Sequence, residues 1–133
     1  MKKSLIKAGV FGFLSVLLVF SMAGFASADV FINEFLPNSA DTDHEWIELF
    51  NNGTSAISLS DFNVSEEAAS KNFTISGITI AANGFIVLAR NETIFNQTHR
   101  INAPVLQYGN ETPSLNLNDG GDSVFLYNSS GNL

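Results

Sequence analysis

Trp46-Ile47-Glu48-Leu49-Phe50, residues 46–50, is the stretch that decides the fold. Along an extended chain successive side chains point to opposite faces, so Ile47 and Leu49 fall on one face and Trp46, Glu48 and Phe50 on the other. An aliphatic face opposite a mixed polar and aromatic one suits one sheet of a two-sheet sandwich. The same texture extends in both directions. Runs of β-branched and aromatic residues at Val30–Leu36, Ser55–Leu59, Asn63–Val64, Phe73–Ile75, Ile78–Ile80, Phe85–Ala89 and Ser123–Tyr127 read as strands. Asn52-Gly53, Ser76-Gly77, Asn83-Gly84 and Asn118-Asp119-Gly120-Gly121 separate them as turns. No stretch of ten or more residues holds a helical period, so Ser65–Asn72 and Asn91–Ser114 read as long surface loops. The expected core is Ile32, Ile47, Leu49, Leu59, Phe62, Phe85, Val87, Val124 and Leu126.

The sequence has 133 residues. Three lysines, Lys2, Lys3 and Lys7, precede the apolar run Ala8–Phe25, and Ala26-Ser27-Ala28 offers the small side chains that a signal peptidase accepts. Residues 1–28 are therefore expected to be a signal peptide cleaved before Asp29; an uncleaved anchor is the alternative, since the run is just long enough to cross a bilayer. Either way the rest of the chain lies outside the cytoplasm, extracellular or on the cell surface. Removing 28 of 133 residues leaves 105, one small domain, with 13 acids against three bases and a net charge of −10. That balance opposes direct binding to nucleic acid, and it leaves membrane contact to the leader or anchor. The absence of cysteine excludes a disulfide framework, a thiolate metal site and a cysteine nucleophile.

Groups able to carry catalysis are few. The two histidines, His44 and His99, sit in no metalloprotease pair, and no nucleophile elbow or phosphate-binding Gly-Lys-Ser/Thr motif is present. No enzyme is expected and no cofactor is required. Asp41-Thr42-Asp43-His44-Glu45 alternates acids in a loop, so Asp41, Asp43 and Glu45 are candidate calcium ligands, against solvated loop acids as the plainer reading. Seven Asn-x-Ser/Thr sequons begin at Asn52, Asn63, Asn72, Asn91, Asn96, Asn110 and Asn128. With 15 Asn and 18 Ser or Thr among 105 residues, chance placement gives between about two and three. Five of these, Asn52, Asn91, Asn96, Asn110 and Asn128, fall in expected turns or loops. A glycoprotein is one reading; a turn-rich β protein that places Asn, Ser and Thr together is the other.

Ile32-Asn33-Glu34-Phe35-Leu36, Glu45–Asn51 and Leu59-Ser60-Asp61-Phe62-Asn63-Val64-Ser65-Glu66 together resemble the opening half of the lamin-tail domain family. Ile80–Ala89 is similar to its middle strand pair, and Leu115–Asn118, Gly121–Tyr127 and Gly131-Asn132-Leu133 to its closing region. The family usually has Gly-Trp where this chain has Asp61-Phe62. The resemblance implies an all-β, immunoglobulin-like antiparallel β-sandwich at residues 29–133, with Glu34, Trp46, Glu48 and Asp122 in structural roles. Glu48 is expected to tie a loop by accepting backbone N–H groups. For a prokaryotic member the resemblance further implies an exported module; the short Met-Lys-Lys leader looks prokaryotic, and with the sequons it points to an archaeal envelope. The expected function is a non-catalytic module for adhesion, assembly or binding of a protein or glycan partner at the cell surface. The alternative is an accessory binding domain of a larger secreted hydrolase or nuclease. Asn128-Ser129-Ser130-Gly131 reads as a hairpin turn with Asn132-Leu133 starting a returning strand. The family has one more strand there, so the last strand is expected to be missing, leaving residues 123–127 an open edge for strand-mediated association.

Overall fold

A computed structural model of the protein describes residues 29–37, 41–66, 71–110, 115–118 and 121–131. The expected leader at residues 1–28 and the returning strand at Asn132-Leu133 lie outside the described residues, as does part of the 118–121 turn. The strands are β1 (Val30–Leu36), β2 (Trp46–Asn51), β3 (Ile57–Ser58), β4 (Asn63–Glu66), β5 (Asn72–Thr74), β6 (Thr79–Ile80), β7 (Phe85–Ala89), β8 (Val105–Gln107) and β9 (Val124–Tyr127). One short helix, α1 (Glu92–Thr98), joins β7 to β8, and a 3-10 turn spans Thr42–His44. The architecture is the all-β sandwich that the alternation implies.

A four-stranded sheet runs in the order β1-β2-β7-β8, with a three-stranded sheet β5-β4-β9 and a two-stranded ladder β3-β6 completing the sandwich. Ile47 and Leu49 on β2 point inward and are fully buried, and their register partners Leu88 and Ile86 on β7 share that face. They pack with Leu59, Val64, Phe73, Ile75 and Ile80 in one core, against which Ile32, Phe62, Val124 and Leu126 rest partly buried. Tyr108, Leu115 and Leu117 close it. Interdigitated inner faces of this kind remove aliphatic surface from water and supply most of the stabilisation of a small sandwich.

Three expectations need correction. Asn91–Ser114 is not one long loop: α1 and β8 lie within it, and β7 pairs β8 in parallel, Val87 opposite Val105. A parallel pair requires a crossover, and α1 supplies it. Secondly, Phe85 lies on the outer face and stays exposed, while Val87 and Ala89, on that same face, are buried beneath Phe95 of α1 with Trp46 and Val105. The helix covers the far end of β7 and stops short of Phe85. Thirdly, Ser65 and Glu66 belong to β4 and Asn72 to β5, so that segment is the connection of an antiparallel pair.

The departure at Asp61-Phe62 has a local explanation. Asp61 has a φ of +67°, the left-handed region in which glycine is the residue of least strain. Phe62 still packs against the core, and the backbone returns the chain through Phe62 N–H to the Leu59 carbonyl at 3.0 Å.

Candidate functional site

The outer face of the four-stranded sheet is built by a one-residue irregularity. In β1, Ile32 pairs with Leu49 and Glu34 with Glu48, so Asn33 is extra and the register shifts there. Such a bulge re-aims the side chains that follow it. Phe31 pairs with Phe50 before the shift; Glu34 pairs with Glu48 and Leu36 with Trp46 after it. Directly opposed residues of an antiparallel pair share a face. The outward side chains therefore form three rows: Phe31, Phe50 and Phe85; then Glu34, Glu48 and Val87; then Leu36, Trp46 and Ala89.

The first row is aromatic from edge to centre. Phe50 and Phe85 stack with centroids 4.6 Å apart and planes at 27°. Phe31 is 46% exposed, Phe85 39% and Leu36 37%. In the second row Asn33 Nδ2 donates to Glu48 Oε1 at 2.7 Å. Glu48 thus accepts from a side-chain amide, rather than tying a loop through backbone N–H groups as expected. The third row disappears under α1: Trp46 meets the edges of Phe95 and His99, at 6.0 and 5.9 Å, and Phe95 stacks on His99 at 4.5 Å.

The loop-tying role falls to Glu45, which is 1% exposed. Its Oε2 accepts the Leu117 N–H at 3.2 Å, the Tyr108 hydroxyl at 3.3 Å and Arg90 Nη1 at 3.4 Å. Arg90 Nη1 also donates to the Leu115 carbonyl at 3.0 Å and to Asn116 Oδ1 at 3.1 Å. Glu66, buried and 3.6 Å from Lys71 Nζ, accepts the Asn116 N–H at 3.3 Å. Three charged side chains thereby fasten residues 115–117 across the sandwich. Burial pushes the Glu45 carboxyl above its ordinary value, opposed by the Leu117 N–H and by the Arg90 charge. Burial and then the Glu45 charge push Tyr108 up as well. This centre is closed to solvent at its carboxylate, so its chemistry is that of a clamp.

The structure does not bring Asp41, Asp43 and Glu45 to one point. Asp41 caps the 3-10 turn, its Oδ1 accepting the Asp43 N–H at 3.1 Å, while the Glu45 carboxylate turns into the interior. Among the described residues no group of three or more His, Asp or Glu side chains is placed to hold a metal ion. Of the sequon asparagines, Asn52, Asn72, Asn96 and Asn110 are exposed. Asn96 lies within α1, and not in a loop. Asn63, Asn91 and Asn128 are half-buried; Asn91 caps α1 through the Ile94 N–H at 3.2 Å and Asn128 accepts the Ser130 N–H at 2.9 Å. Asp122 holds its turn by accepting the Asn118 N–H at 3.1 Å.

The outer-face rows were only half visible in the sequence. Alternation shows Trp46, Glu48 and Phe50 together, but the bulge at Asn33 and the reach of α1 decide what stands beside them. A comparison with curated proteins found no match. The family model described as Lamin Tail Domain matches residues 24–133.

Proposed function

The chain belongs to the lamin tail domain family, an immunoglobulin-like module, and on that premise we propose that it is an exported, non-catalytic domain that docks a partner at the cell surface. The observation that carries this reading is the outer face, where Phe31, Phe85 and Leu36 stay exposed on a sheet whose other face buries Ile47, Leu49, Ile86 and Leu88 in the core and leaves the edge residue Phe35 exposed. Apolar side chains gathered on one face, with polar groups between them, are the pattern of a recognition surface. Glu45 is buried, with its Oε2 accepting from three donors, and its carboxylate is closed to solvent. Partner protein and surface glycan are both compatible with a docking role. The test is binding of the labelled purified protein to the cells that produce it. The parent should bind saturably, and the double variant Phe31→Ser, Phe85→Ser should lose most of that binding while remaining folded. Equal binding by both proteins would overturn the reading.

A further inference from the structure

We propose that the outer face of β1-β2-β7 receives an extended segment of another protein with the pattern apolar-x-basic-x-apolar. The proposal rests on the reading of this face as a docking surface and adds the chemistry of the occupant. Glu34 and Glu48 stand directly opposite each other in register, two carboxylates on one face of adjacent strands. Like charges in that arrangement repel and destabilise the pair. No ion pair relieves them among the described residues: Lys71 is engaged with Glu66 and Arg90 with Glu45, and the third base, Arg100, pairs with neither carboxylate. Asn33 satisfies one oxygen of Glu48 with a neutral amide and leaves the charge in place. A cation between the two carboxylates completes the row.

What lies on either side fixes the rest of the pattern. Along β2, Phe50, Glu48 and Trp46 follow one another at every second residue, and an extended ligand has the same spacing. An apolar side chain can therefore rest on Phe31, Phe50 and Phe85 while a Lys or Arg two residues on meets Glu34 and Glu48. A second apolar side chain, two residues further, reaches the exposed Leu36 beside the half-buried Trp46. The stem of a Lys or Arg also gains from contact with the aromatic row, through its methylenes and its charge. The bulge at Asn33 interrupts the regular backbone of β1, which disfavours simple strand addition at that edge and leaves the face itself as the seat. A neutral glycan would stack on the rings but leave the carboxylate pair uncompensated. An anionic partner is repelled by it.

The probes are three synthetic peptides, Leu-Ser-Lys-Ser-Leu and its counterparts with Glu or Ser at the centre, together with a neutral oligosaccharide. Each is titrated against the protein while the ring signals of Phe31, Phe50 and Phe85 are followed by NMR. The Lys peptide should shift these signals and the Glu peptide should not. Glu34→Gln with Glu48→Gln removes no buried group and should weaken the Lys peptide by about two- to thirtyfold, the worth of two exposed ion pairs. Raised salt should weaken the parent complex in the same direction. Equal response to the Lys and Glu peptides overturns the proposal, and so does an unchanged affinity in the Gln variant. If the Ser peptide or the oligosaccharide shifts the rings as well as the Lys peptide does, the basic occupant is wrong and the docking face stands. If the parent and the Phe31→Ser, Phe85→Ser variant bind cells alike, the docking face itself is wrong.

Discussion

Glu45 shows how far a residue's place can depart from what its neighbours in sequence suggest. Its position in an acid-rich loop gave it the look of a cation ligand, yet it immediately precedes β2 and its side chain is buried in the interior. Nothing in Asp41–Glu45 signals this, because the donors that receive it, Arg90, Tyr108 and Leu117, are distant in sequence. The raised pKa makes a signed prediction. An unfolded glutamate titrates near 4.5 and the folded one above that. The folded state therefore holds the proton more tightly, and this contribution to stability is present below the unfolded value and lost as pH rises through the folded one. Glu45→Gln stays neutral and lacks that loss. The melting temperature of the parent relative to Glu45→Gln should fall as pH rises above the ordinary glutamate value of 4.5. A parent that gained on the variant over that rise would mean that attraction to Arg90 outweighs the penalty of burial.

Among elements, eight of the nine described strands were legible, and the crossover helix with β8 was not. Ile47 and Leu49 announce β2 by alternation, and Val124 and Leu126 announce β9 in the same way. Helix α1 has seven residues and buries one of them, Phe95, so it is too short to display a period. Its signal was the N-cap: Asn91 precedes it and accepts the Ile94 N–H. Gly109 was equally silent. Its N–H donates to the Arg90 carbonyl at 3.1 Å, and a Cβ there would overlap that oxygen and press on Arg90 Cγ at 3.0 Å. Gly109→Ala must push the chain off Arg90 and so disturb the clamp on residues 115–117. Chemical denaturation should show a loss of about 1–3 kcal/mol, the usual cost of overpacking. A neutral substitution would show that the two segments separate freely.

At the scale of the molecule, the ordered short motifs carried the family and the alternation carried the sandwich. The outer face was hidden because it is a property of pairing. Phe31, Phe50 and Phe85 lie on three strands, and Phe85 shares the phase of Val87 and Ala89, which made it look like core. Only the length of α1 separates the covered residues from the open one. With 13 acids against six bases the chain carries a net charge of −7, and an overall negative charge favours approach of a basic partner, an effect that weakens with salt. The central claim is that the aromatic row is covered when the protein is in use. Hydroxyl-radical footprinting tests it most directly, by comparing the purified protein with the same protein in the cells that produce it. Phe31, Phe85 and Leu36 should be oxidised in isolation and shielded in the cells, with Ile47 and Leu49 silent in both. Equal oxidation of Phe31 and Phe85 in the two settings would contradict the account.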